Sequence, residues 1–168
     1  MGADYGEDYW TITLIDIRKY TNGNRNEIIG ENVLYFNGCN AIIDTGTYLI
    51  YGPTDKIRCE DKYTLPTLGF VFKGFVVNGK DDVFELRLST DDYVLEFENN
   101  GMTNCIIGLN NDSDYNTWRL GQVFLKAYYT GFDRETEAIR FVRSNPQSGV
   151  LVSKEDDKDN NVYSSFLK

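Results

Sequence analysis

Short runs of β-branched and aromatic residues, broken every few positions by glycine, proline or asparagine, leave this chain little room for anything but an all-β fold. Trp10-Thr11-Ile12-Thr13-Leu14-Ile15-Asp16-Ile17 alternates with period two. The polar stretch Thr21-Asn22-Gly23-Asn24 then turns the chain back toward Asn32-Val33-Leu34-Tyr35-Phe36. Asn37-Gly38 is a tight-turn pair, and Asn40 to Asp44 is apolar enough to be buried on both faces. Strand pieces are expected between Gly69 and Gly79. Others are expected at Val83–Leu88, Tyr93–Phe97, Asn104–Leu109, Tyr128–Phe132 and Ala138–Val142. Helix is confined to a turn or two over Gly121–Ala127, and no internal repeat points to a solenoid or propeller.

A length of 168 residues suits one domain that buries its own core. No apolar run approaches the length needed to span a bilayer, and Met1-Gly2-Ala3-Asp4 lacks the basic, apolar character of a signal peptide. Residues 1–8 read as a leader. Residues 144–168 carry Asn145-Pro146-Gln147, Ser148-Gly149 and the run Glu155-Asp156-Asp157-Lys158-Asp159-Asn160-Asn161, and read as a polar, disordered or exposed tail.

The 26 acidic residues outnumber 17 basic ones, for a formal charge of −9, which argues against a nucleic-acid partner. There is no histidine, so Ser-His-Asp and Cys-His nucleophilic sites and histidine-ligated zinc are excluded. Three cysteines, Cys39, Cys59 and Cys105, are too few for a four-cysteine metal site and too widely spaced for a redox pair. One disulfide and one remaining cysteine is the natural arithmetic. The odd one is either a free thiol or bonded to a segment outside this chain. Neither metal nor cofactor is expected.

Carboxylate chemistry remains, and one segment is built for it. In Ala41-Ile42-Ile43-Asp44-Thr45-Gly46-Thr47 an apolar strand ends in a carboxylate followed by a hydroxyl, a glycine and a second hydroxyl. The strand end holds Asp44 rigidly, the glycine lets backbone pass close to it, and the hydroxyls can donate hydrogen bonds that keep it ionised. A simple turn would use the same residue types. Activating a water between two carboxylates that share one proton needs a second such segment, and this chain has a single copy.

The order of motifs from Tyr9 to about Arg143 resembles the C-terminal lobe of a pepsin-like aspartic protease. Tyr9-Trp10-Thr11-Ile12 is similar to the opening strand of that lobe. Gly38-Cys39-Asn40-Ala41-Ile42-Ile43-Asp44-Thr45-Gly46-Thr47, continued by Gly52-Pro53, is similar to its catalytic loop. Cys59 precedes Leu65-Pro66-Thr67-Leu68, and Asp92-Tyr93-Val94-Leu95 precedes Asn104-Cys105-Ile106-Ile107-Gly108. The most specific block is Trp118-Arg119-Leu120-Gly121-Gln122-Val123-Phe124-Leu125-Lys126-Ala127-Tyr128-Tyr129, which leads into Phe132-Asp133-Arg134.

The resemblance implies that Asp44 is one member of a catalytic pair and that the Thr47 hydroxyl and Gly46 amide support it. It implies that Thr45 faces a partner lobe and that Leu120-Gly121 forms a strand crossing behind the loop. Trp118 would pack in the core, and Asp133 would be a turn carboxylate. Cys59 and Cys105 would form the disulfide of the lobe, worth on the order of 4 kcal/mol, in an oxidising compartment of the secretory pathway, another endomembrane compartment or the extracellular space. The partners implied are a peptide or protein substrate and an N-terminal lobe carrying the second aspartate; without that lobe the chain would be inactive. A homodimeric protease and a non-catalytic peptide- or protein-binding module are the alternatives.

Departures from the pattern are the absence of the N-terminal lobe, the short Thr54-Asp55-Lys56-Ile57-Arg58 connection between Pro53 and Cys59, and the lack of a cysteine upstream of Cys39. Tyr48 stands where serine is common, either altering a substrate subsite or capping the interface. Arg119 interrupts the apolar pattern, a cost unless its guanidinium reaches solvent or an acid.

Overall fold

A computed structural model describes residues 9–21, 24–28, 38–52, 62, 64–77, 80–111, 117–144 and 162–166. The period-two segment forms the long strand β1 (Thr11–Thr21), which turns into β2 (Asn24–Ile28). The return strand thus begins at once after the turn, and the return strand expected at 32–36 lies outside the described residues. On the same edge, the first residues of β1 pair antiparallel with β3 (Cys39–Ile43). Its other edge pairs with β5 (Thr67–Val77), a single strand where separate pieces were expected, and β5 pairs with β6 (Lys80–Leu88). A bulge between Lys73 and Val76 absorbs the irregularity around Gly74.

Beyond β3 the order departs from sequence. The strand β10 (Thr117–Leu120) inserts between β3 and β4 (Ile50–Gly52), parallel to the first and antiparallel to the second. β9 (Leu109–Asn111) then closes this end of the sheet, parallel to β4. The segment that joins β3 to β4 therefore spans a third strand, and that segment contains Asp44.

Two smaller sheets complete the fold. One is the hairpin of β7 (Val94–Asn99) and β8 (Met102–Ile107). The other runs β11 (Tyr128–Asp133), β12 (Ala138–Arg143) and β13 (Val162–Phe166). β13 corrects the reading of 144–168 as an unpacked tail, since its residues pair along β12 from Ala138 to Val142. Residues 145–161, with the acidic run, lie outside the described residues. Asp133 closes the turn between β11 and β12, accepting from the Glu135 and Thr136 N–H groups and from Arg140.

Among the described residues, α-helix is limited to α1 (Thr90–Tyr93) and α2 (Gln122–Ala127). In α1, which the strand pattern hid, the Ser89 N–H and hydroxyl both donate to the Asp92 carboxylate. α2 buries Val123, Phe124 and Ala127. Phe124 lies edge-on to Phe70, Phe72 and Phe141, and Phe70 in turn meets Trp118 edge-on at 5.9 Å. Trp118 is fully buried, as expected, and a Cβ on Gly52 would fall 2.3 Å from its ring, so β4 needs glycine there. Burying a phenylalanine contributes about 3 kcal/mol, so this cluster fixes α2 against the sheet.

Candidate active site

β3 ends at Ile43 with its side chains at Cys39, Ala41 and Ile43 in the core. The chain leaves the sheet at Asp44, whose N–H donates to the Leu120 carbonyl of β10 at 3.2 Å. It then turns tightly through Thr45 and Gly46, the Thr47 N–H returning to the Asp44 carbonyl at 3.3 Å. This turn brings two donors to the Asp44 carboxylate. The Gly46 N–H donates to Oδ1 at 2.8 Å, and the Thr47 hydroxyl donates to Oδ2 at 2.5 Å.

Those contacts hold the Asp44 carboxyl below its ordinary pKa. The Thr47 hydroxyl is the largest influence; partial burial opposes it, and the Gly46 N–H, the Arg119 charge and the Thr47 N–H add to the lowering. No second carboxylate is among these partners. Asp44 is partly exposed and Thr45 and Gly46 are exposed, so the carboxylate stands at an open surface.

The crossing behind the loop is formed by Leu120 and Gly121. Leu120 is buried, and a Cβ on Gly121 would lie 2.3 Å from the Leu49 carbonyl oxygen and 2.4 Å from that of Thr47. Only glycine lets the two backbones pass at this distance. Immediately after it, the first N–H groups of α2 serve the loop: Gln122 donates to the Thr47 carbonyl at 2.8 Å and Val123 to that of Tyr48 at 3.1 Å. Free donors at a helix start thereby satisfy the carbonyls of a loop that has no strand partner there. The Gln122 side chain reaches the Thr45 carbonyl at 3.4 Å. Gln122 was not singled out from sequence; its place directly after Leu120-Gly121 was the available signal.

Beside Asp44 an open depression is lined by Gly46, Thr47, Tyr48, Tyr51, Asn111 and Arg119. Tyr48 is 62% exposed at its rim. On β10, Trp118 and Leu120 face the core while Arg119 projects from the other side of the strand, so the apolar pattern is interrupted without placing a charge in the interior. Tyr51 and Asn111 were not foreseen here, because β4 pairs with β10 on one edge and with β9 on the other, joining segments far apart in sequence.

Of the two described cysteines, Cys39 is a free, buried thiol, its pKa pushed up to about 11 by burial, and Cys105 is not free. Cys59 and the short connection before it lie outside the described residues. Among the described residues, no group of three or more His, Cys, Asp or Glu side chains is placed to hold a metal ion.

The family model described as eukaryotic aspartyl protease matches residues 7–144. The chain is 42% identical to plasmepsin VII of Plasmodium berghei (strain Anka) over 157 residues, which is 81% of this chain and 33% of that protein. It is 38% identical to plasmepsin VII of Plasmodium falciparum (isolate NF54), over 81% of this chain and 36% of that protein. It is 30% identical to human cathepsin D, again over 81% of this chain and 34% of that protein. The chain thus spans about a third of the length of the curated relatives it matches.

Proposed function

This chain belongs to the eukaryotic aspartyl protease family, and from that premise we propose that it acts as the C-terminal lobe of an aspartic endopeptidase. The observation that carries the reading is Asp44 itself, with one oxygen held by the Gly46 N–H, the other by the Thr47 hydroxyl, and its surface open to a counterpart. An N-terminal lobe supplies the second aspartate. A water between the two carboxylates loses a proton to the ionised one as its oxygen bonds to the scissile carbonyl carbon, while the protonated one donates to the carbonyl oxygen. The C–N bond then breaks as the amine nitrogen takes a proton, with no metal and no covalent intermediate. In the free lobe Asp44 titrates alone; facing its twin, the two titrate as a pair.

With this reading go a Cys59–Cys105 disulfide and residence in an oxidising compartment of the secretory pathway. The test is Asp44→Asn in the polypeptide that joins both lobes. Peptide cleavage should fall on the order of 1,000-fold with the unfolding midpoint retained, and cleavage that survives ends the assignment. The chain alone should cut nothing and should regain activity when the N-terminal lobe is added.

The exposure of Tyr48 at the rim favours a second reading, a non-catalytic module that binds an extended peptide. An Asp-Thr-Gly or Asp-Ser-Gly segment upstream in the natural reading frame separates the two: its presence supports the enzyme and its absence the module. Acid proteolysis that scales with the dimer fraction in sedimentation would instead assign the second aspartate to another copy of this chain.

A further inference from the structure

The depression beside Asp44 has an unusual lining for a chain of net charge −9: one arginine, two tyrosines, a threonine, an asparagine and a glycine, with no acidic residue. We propose that Arg119 makes this depression a subsite for an acidic side chain of the substrate, carried by a residue flanking the scissile bond. The inference rests on the protease reading above and names part of its substrate class.

Three observations converge on it. Arg119 lines the same depression as Gly46 and Thr47, the two residues whose donors hold the Asp44 carboxylate, so a peptide positioned for cleavage passes over it. Its strand is clamped between β3 and β4, which fixes the origin of the side chain. The guanidinium is near enough to Asp44 for its charge to help hold that carboxyl down. Arg119 already has an interaction within the fold, and its five N–H donors allow it to keep that contact while receiving a carboxylate. Tyr48, Tyr51 and Asn111, all with polar side chains, line the same space.

The test uses matched peptides that differ only in Glu or Gln at each position flanking the cut. Cleavage is followed as kcat/KM with the two-lobed enzyme, and binding as Kd with its Asp44→Asn form, which needs no turnover. At one flanking position Glu should be preferred about 10-fold near pH ~5.5, as expected of a charge-assisted pair, and the preference should shrink toward parity near pH ~3, below the ordinary glutamate pKa of about 4.3. Arg119→Leu should abolish the preference, and Arg119→Lys, which keeps a charge but loses the planar fork, should retain a smaller one. The wild-type Glu/Gln ratio and its pH dependence decide the matter even if a variant fails to fold. Equal treatment of Glu and Gln at every position near pH ~5.5, or a preference that persists in folded Arg119→Leu, overturns the inference. If no peptide is cut, the protease reading fails, and the Kd comparison still decides the role of Arg119.

Discussion

At Asp44 a hydroxyl, two backbone N–H groups and a guanidinium all favour the charged carboxylate, and the hydroxyl of Thr47 contributes most. Removing it should raise the Asp44 pKa, so that ionisation, and with it the acid limb of the kcat/KM profile, begins at higher pH. We expect Thr47→Val to move that limb toward neutrality and lower peak activity on the order of 10-fold, with Thr47→Ser restoring both; a limb unmoved in Thr47→Val would show that the hydroxyl does not govern the site. This much was legible in the residues, because Asp44, Gly46 and Thr47 interact over two or three positions and a tight turn leaves them few other arrangements. The company of Arg119 was not, since the sequence showed only a charge interrupting an apolar run and gave no strand order to say which side of the sheet received it.

The element that fixes the loop is β10 with the start of α2, and Gly121 is its narrowest point. A methyl group there would press on the Thr47 and Leu49 carbonyls, which are backbone and cannot rotate away. Gly121→Ala should therefore cost at least about 3 kcal/mol, read as a lowered urea midpoint, and any folded fraction should have lost the turn that orients Asp44. A midpoint within error of wild type would mean that the crossing is looser than described. The longer strands were readable from alternation and α2 from its short apolar face, whereas β2 and β4 were not among the expected strands. The parallel insertion of β10 between β3 and β4 was reachable only through family resemblance, because register between distant segments leaves no local trace. The same limit hid β13, whose pairing partner lies beyond residues outside the described set, and α1, whose Ser89 and Asp92 carried a start signal inside what read as consecutive strands.

Across the whole molecule, the response of stability to acid turns on carboxylates whose pKa the fold shifts, and Glu85 is one of them. Only 7% of its side chain is exposed, yet it accepts from Arg18 at 2.7 Å, Arg87 at 2.7 Å and Tyr20 at 2.9 Å, and Arg87 lies over the Tyr20 ring. Burial alone would raise its pKa; these partners together outweigh burial and hold it below the ordinary value. A carboxyl depressed in the folded state contributes stability above its unfolded pKa and loses it as pH falls through the folded one. Glu85→Gln should thus cost about 2–4 kcal/mol near pH ~6, and the gap from wild type should narrow below pH ~4, measured by urea unfolding at both values. An equal gap at both pH values would indicate lost packing rather than lost charge. The alternating charges of β6 had concealed this network, since such a strand reads as half solvated. The threading of β10 also bears on synthesis. Asp44 leaves the ribosome long before Leu120, Gly121 and Gln122, yet the turn that aims it is completed by contacts with all three. A nascent chain therefore carries the acid before it carries the residues that orient it, and the geometry of this loop is completed only once the first turn of α2 has been made.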